Sequence, residues 1–534
     1  MRVQRVGRLA FPLIIGTVII LIFTWLAAWQ AGGVSANLDA PHSPVVLYIS
    51  MLGQDEANDC QSSTSPCRSI THAMQVAQAG DYLHVASGTY TDTMYDPDIA
   101  MGITATLIIT KEISSLLGGY SNDFATRDIE ANETILNAAG SPGAHVAVLV
   151  DTHVRLGGLT LTGGSGAYSP GGYYYPGGAI RVFGGAPTIL DNRIINNRGY
   201  RRGGGIYLGQ GANAIILNNQ IISNTVSAVE GDDVSGGAGI FVASGPTLIQ
   251  GNQILSNTAQ LEGGGIYIGW NVPVTISGNT IAYNRLLSPW NSLGAGIRVI
   301  GDDEVVSIQG NYIHHNSLSG GYEGSAIYTS SPVHIDGNRI EANYAPSGHS
   351  AVCVADVTVP LTLTNNLVVE NTGTGVRFID NRDVRMINNT IVGNNPRGVQ
   401  VSFPVVRALP TGSFNLNNNL IVDNGECGVF VENQGLQVID YNDVTGQIYQ
   451  YCGFPAILEH NLSLDPAFVN PKRSDYHLQV GSPVINQANS ALSTLTDYDG
   501  ALRGLNYAPD MGAYEFIYHR LYLTILQRDS SRLK

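Results

Sequence analysis

The stretch ILNNQIISN, residues 216–224, decides the fold. It sets bare amides at Asn219 and Asn224 between short isoleucine runs. The pattern returns as LIQGNQILSN (248–257), TISGNTIAYN (275–284), SIQGNYIHHN (307–316) and HIDGNRIEAN (334–343). In register, the first amide falls at Asn192, Asn219, Asn252, Asn279, Asn311, Asn338, Asn366, Asn389 and Asn419, with steps of 27, 33, 27, 32, 27, 28, 23 and 30 residues. A second element keeps phase with it in pieces such as GGGIYL, GAGIFV, GGGIYI and GAGIRV, whose Ile or Val stands at 180, 206, 240, 266, 297, 327, 352, 376, 399 and 429. Each unit thus holds three apolar pieces, all too short for a helix and alternating with period two. Heptads and helical solenoids need a near-constant period, which these steps lack. A coil of three strands per turn tolerates the variation, because insertions bulge out at its corners. The expected fold is all-β, a three-stranded parallel β-solenoid with rungs stacked ~4.8 Å apart.

In such a coil the asparagines are structural. Asn tolerates the left-handed backbone of a sharp corner. A buried amide is costly alone but satisfied when it donates to one rung and accepts from the other. The trailing Asn197, Asn224, Asn257, Asn284, Asn316, Asn343, Asn371, Asn394 and Asn424 are expected to serve the next strand end in the same way.

The rest of the chain bounds its setting. With 534 residues, 63 glycines and a net charge of −15, it argues against nucleic acid and anionic membranes as partners and is compatible with cations such as calcium. Arg2, Arg5 and Arg8 precede an apolar run from Leu9 to Trp29, so residues 1–36 read as a signal peptide cleaved after Ala36 or as an uncleaved membrane anchor. Either reading puts the remainder outside the cytoplasm, secreted or at the cell surface. Cysteine usage fits that compartment. Cys60 and Cys67 share a short polar loop suited to a local disulfide, and aligning ECGVF with QYCGF puts Cys427 and Cys452 in one column on adjacent rungs, within disulfide range. Cys353 is left over.

The repeat resembles the right-handed parallel β-helix proteins of the pectin-lyase-like superfold, over roughly residues 46 to 450. The segment LYIS…DC…PCRSITHAMQVAQAGDYLHVASGTYTD is similar to the opening of secreted bacterial members. There Ile70, Ala73, Met74 and Ala77 make one apolar helical face that would cap the first rung. The resemblance implies a β-helix over 37–454 with an N-terminal cap at 46–90 and about a dozen rungs. It also implies a choice-of-anchor type closing segment at 455–516, and the basic tail at 517–534 resembles sorting or anchoring tails. It says little of activity, since this fold hosts lyases, hydrolases, epimerases, adhesins and inert stalks.

In the resemblance, function sits on the outer face of the G-I-x-V strand. Its outward column here reads Arg181, Tyr207, Phe241, Tyr267, Arg298, Tyr328, Cys353, Arg377, Gln400 and Phe430. Tyr and Phe rings suit sugar faces and Arg forks suit uronate or sulfate, so Arg181, Tyr207, Phe241, Tyr267, Arg298, Tyr328 and Arg377 are the expected carbohydrate-binding row. The competing reading is that good strand formers stand there, covered by the preceding loops. Glu230, Asp232 and Asp233 are candidate calcium ligands, against the plainer reading of a solvated acidic loop. Asp232, Asp233, Arg298 and Arg377 are the candidate catalytic residues, and no cofactor is required. His349 reads as a polar loop residue. Triad order, zinc spacing and a phosphate loop are absent from the sequence. The expected function is polysaccharide binding at the cell envelope. A polysaccharide lyase or glycoside hydrolase, and a stalk or adhesin that binds protein, are the alternatives.

Overall fold

The computed structural model describes residues 42–517 apart from 100–101, 167–175, 228–234, 270–271, 291, 302–303, 322, 347, 404–412 and 506. The apolar N-terminal run and the basic tail lie outside them. No helix among the described residues is long and apolar enough to cross a membrane. The chain winds through three long sheets. Sheet I takes the strands before the first ladder asparagine, from Val46–Ile49 to Leu436–Asp440, and has 14 strands. Sheet II takes the strands after it, from Gly88–Tyr90 to Asp443–Thr445, and has 13. Sheet III takes the G-I-x-V strands and ends at Tyr449–Gly453, with 14. The coil is therefore slightly longer than the repeat alone indicated. A short fourth sheet of five strands, from Arg198–Tyr200 to Ser317–Leu318, fills the corner between sheets II and III. The middle residue of each sheet II strand points inward: Ile194, Ile221, Ile254, Ile281 and Ile313 are partners in register and fully buried. Such aligned columns form one core along the coil.

Two asparagine ladders lock that register. In the first, the Oδ1 of Asn252 accepts both the backbone N–H of Asn219 at 2.8 Å and its Nδ2 at 3.0 Å. Asn219 Nδ2 also donates to the carbonyl oxygens of Ile189 and Leu217. The same double bond repeats from Asn192 to Asn419 and runs on through Asn442 to Asn461, two steps that the sequence pattern did not reveal. The trailing asparagines form a second full ladder, Asn224 onto Asn257 at 2.9 and 3.1 Å being typical. One expectation needs correcting. The left-handed residue at each corner is the neighbour before the ladder asparagine, such as Asn218 (φ 55°) or Gly251 (φ 66°). The ladder asparagine needs its N–H and amide aimed along the coil, so the sharp turn is made one residue earlier.

Helix Ile70–Val76 covers the first rung with Ile70, Ala73 and Met74 buried. Ser69 caps its N-terminus, and Lys111 Nζ donates to the carbonyls of Met74, Gln75 and Ala77 at its C-terminus. Both expected disulfides form, Cys60–Cys67 with Cα atoms 5.0 Å apart and Cys427–Cys452 with 6.4 Å. The second is diagonal: Cys427 lies opposite Tyr449, and Cys452 opposite Phe430. The strands pair Val429 with Tyr451, so aligning the two cysteines by their similar neighbours misplaces the register while the side chains still meet.

The C-terminal segment first lays a partial rung on the end of the coil, with Ile457 bridging Ile439 and Leu462 bridging Asp443. After Leu462 it folds back along the outer face of sheet II, where Phe468, Tyr476, Val484, Met511 and Tyr514 pack on Leu367, Val369, Val392, Leu420 and Val422. Three left-handed corner asparagines dock it. Asn365 Oδ1 accepts from Arg503 Nη2, Asn388 Oδ1 from Ser493 Oγ and Asn418 Oδ1 from the N–H of Asn489. Glycine cannot make these bonds, which explains asparagine at those three corners. Asp510 accepts from the N–H groups of Asn486 and Phe516, and burial, then Glu515, push its carboxyl up to about 7.

Two outcomes follow. Asn279→Ala leaves the N–H and Nδ2 of Asn252 without their shared acceptor, at roughly 1–3 kcal/mol for each buried group left unpaired. Thermal unfolding is expected to show that loss, with little change for the exposed Gln253→Ala. For Asp510, the unfolded chain releases its proton near pH ~4 and the folded chain near 7. Stability is therefore greatest below that window and falls as pH rises through it. Urea titrations at about pH 5 and about pH 8 are expected to show the drop, and Asp510→Asn to flatten it.

Candidate functional site

The outward column of sheet III is in register throughout, from Arg181 opposite Tyr207 to Gln400 opposite Phe430. It is not an open platform. Arg181, Phe241, Tyr267, Arg298, Cys353 and Gln400 are buried, while Tyr207, Tyr328, Arg377 and Phe430 are half-buried. The turn before each strand lies across the column. A Cβ on Gly237 (φ 65°) or on Gly263 (φ 54°) would sit 2.8 Å from the Cβ of Phe241 or of Tyr267. The rings also satisfy one another. Tyr207, Phe241 and Tyr267 stack with centroids 5.5 and 4.6 Å apart, Arg202 lies 5.2 Å over Phe241 and Arg298 lies 4.5 Å over Tyr328. Stacking at the rung spacing fills the face that a sugar would need.

Two carboxylates join this column. Glu262 stands 3.7 Å from Arg298 Nε, both largely buried, and burial pushes its carboxyl up against the opposing pull of Arg298. Glu323 gathers more. Its Oε1 pairs with Arg377 Nη1 and lies 3.5 Å from His349 Nδ1, and its Oε2 accepts from Ser350 Oγ at 2.6 Å. Glu323 comes from the turn before Ile327–Thr329, His349 from just before Ser350–Ala355 and Arg377 from Thr374–Ile379, so three successive rungs meet at one carboxylate. Tyr328, pushed up to about 12 by burial first and by Cys353 next, stays a neutral phenol beside the group. Arg377 also reaches the Gly348 carbonyl at 3.3 Å, while Arg377 Nε, His349 Nδ1, Ser325 Oγ and Thr374 Oγ1 have no hydrogen-bond partner. The side chains of Arg377 and His349 are 20% and 27% exposed, so a buried acid holds a cation and an imidazole that still reach solvent.

The structure thus brings Arg377 together with two residues missed as site candidates, Glu323 and His349. A signal was present. Arg202, Glu262 and Glu323 each stand four residues before an inward isoleucine, one column aimed at the outward residue of a later rung. Glu230, Asp232 and Asp233 lie outside the described residues. The one cluster of metal-ligand type among the described residues, Cys60, Cys67 and His72, has its two sulfurs joined in a disulfide.

The profile described as "Right handed beta helix region" matches residues 129–281 and 238–443. The chain belongs to the right-handed β-helix family. No curated protein sequence matches it. Solved β-helix structures that resemble it include pectate lyase Pel9A at 12% identity and a TM-score of 0.41, covering 89% of this chain and 97% of that one. They also include XylC in complex with xylose at 12% and 0.38, covering 89% and 98%. The periplasmic alginate epimerase AlgG matches at 10% and 0.31, covering 67% and 78%.

The buried pair gives a test of the β-helix face. Arg298→Met strands Glu262 and is expected to cost on the order of 3 kcal/mol, whereas Arg298→Met with Glu262→Gln recovers most of it. Denaturant unfolding of the single and double variants measures the coupling.

Proposed function

We propose that this β-helix binds acidic polysaccharide on sheet III where Arg377 and His349 reach the surface. The observation that carries the reading is the buried Glu323, which holds both groups in place while the Arg377 side chain stays 20% exposed, within reach of a ligand carboxylate or sulfate. Tyr207 and Tyr328 remain the half-buried rings of the binding row. Arg181, Phe241, Tyr267 and Arg298 support it from beneath, as a packed stack rather than as a contact surface. Export to the cell envelope would put the protein beside such polymers. Calcium at Glu230, Asp232 and Asp233 belongs to the same proposal, and a chelator arm in the binding assay tests it.

A lyase is the second reading, favoured by the same cluster. Arg377 can neutralise a uronate carboxylate, and His349 can take the proton from the carbon beside it. The glycosidic C–O bond then breaks, a C=C bond forms in the ring and the leaving oxygen takes up a proton. Hydrolysis by paired carboxyl groups fits less well, because one carboxylate, Glu323, stands within ion-pair reach of Arg377 among the described residues.

Binding of short oligogalacturonate is the test, read by amide-exchange protection of Ser350–Ala355 and Thr374–Ile379. Protection is expected in the wild-type protein, with affinity falling about 10-fold or more, roughly 1.4 kcal/mol, in Arg377→Ala. Equal protection in both proteins would overturn the site. Unsaturated uronate products that vanish in His349→Ala would establish the lyase. Absence of any glycan binding would leave the stalk or adhesin.

A further inference from the structure

The corner between sheet II and the short fourth sheet carries an aromatic group that the sheet III reading does not use. Its left-handed column runs Asn196, Ser223, Ser256, Tyr283, His315, Ala342 and Glu370, all with φ between 50° and 58°, and on through Gly393 to Asp423. Small residues suit such a backbone, and a bulky ring there is uncommon and costs stability. Tyr283 and His315 interrupt the column on adjacent rungs. Tyr283 is 50% exposed and Tyr344, two rungs on, is 51% exposed. Between them lies an open groove of about 500 Å³, lined also by Arg285, His315, Thr258 and Ser317. The Tyr283 ring is held from behind by His314 and His315, at centroid distances of 5.4 and 5.1 Å, and the two histidines share a 2.9 Å contact between their Nδ1 atoms. Arg285 is exposed and has no ion pair or side-chain hydrogen bond among the described residues. No carboxylate lines the groove among those residues, the next in the corner column being the exposed Glu370 one rung beyond Ala342, although the chain carries a net charge of −15.

We infer that this groove is a second glycan site, specific for acidic sugars. The two tyrosines, about two rung spacings or ~10 Å apart, offer ring faces to successive sugar units. Arg285 and His315 supply donors for a carboxylate or sulfate, and Thr258 and Ser317 donors for hydroxyls. A locally basic, aromatic furrow on an acidic protein selects an anionic ligand with flat apolar faces, which describes a uronate or sulfated oligosaccharide. Preordered rings lower the entropy lost on binding. The site lies off sheet III and stands whether or not that sheet binds. With both present, a long polymer engages the protein twice and gains avidity over a short oligomer.

The test uses the full chain carrying Arg377→Ala and His349→Ala, so that sheet III is silent. Titration calorimetry with short oligogalacturonate is expected to show residual binding that falls about 10-fold or more on adding Tyr283→Asn and Tyr344→Ala, and severalfold on adding Arg285→Gln. Asn accepts a left-handed backbone more readily than Tyr, so Tyr283→Asn is expected to keep or raise the Tm while binding is lost. A purely structural role for Tyr283 would instead lower the Tm. Unchanged residual affinity in the tyrosine variants overturns the site, as does failure of the sheet III-silent protein to bind the acidic oligosaccharide. Equal affinity for a neutral xylo-oligosaccharide overturns the acidic class.

Discussion

The amide oxygen of one ladder asparagine accepts two N–H groups from the asparagine a rung before it, and every other feature depends on that pairing. It holds a backbone donor and a side-chain donor at one point inside the coil, where water cannot replace it. The alternating isoleucines already oppose a slip of one residue, and the ladders oppose a slip of any length. A slip of one residue would send each inward isoleucine to the surface and each outward Tyr or Arg into the core. Two ladders, one at each end of sheet II, make that slip break many bonds at once. Insertions of varied length are then harmless, because they leave the coil after one anchored strand and return to the next.

On sheet III this register stacks like upon like, and stacking consumes the outward face. Tyr207, Phe241 and Tyr267 cover each other and the glycine turns cover them, so area that would suit a ligand is spent on stability. The pattern changes further along. Cys353 is small and buried between Tyr328 and Arg377, and Glu323 reaches past it to pair with Arg377 two rungs on. A reactive-looking group thus arises where the ring stack ends. The same logic marks the opposite corner, where Tyr283 and His315 replace small residues on a left-handed backbone and pay for exposure in strain.

Much of this was legible in the sequence. The asparagine spacing is a repeated local signal, so the coil, its three strands, the inward columns and the second ladder could be read directly. The capping helix and both disulfides could be read as well, although the diagonal geometry of Cys427–Cys452 could not, because similar neighbours are a poor guide to register at a coil end. Burial of Phe241 and Tyr267 was not legible either. It depends on the path of the preceding turn, which a strand pattern does not encode. Glu323 and His349 stand in loops of different length on different rungs, and only folding makes them neighbours. The docking of residues 465–516 on sheet II left a trace at Leu367, Leu420 and Val422, apolar residues on a face that is polar at Arg193, Gln220 and Gln253.

The central claim is that the ladders hold the register on which each outward column depends. Amide hydrogen exchange of the intact protein tests it most directly. The account predicts that the backbone N–H groups of Asn219, Asn252, Asn279 and Asn311 exchange only through global unfolding, together with the inward strands and far more slowly than the surface loops. Ladder amides that exchanged as fast as those loops, while the inward strands stayed protected, would contradict it.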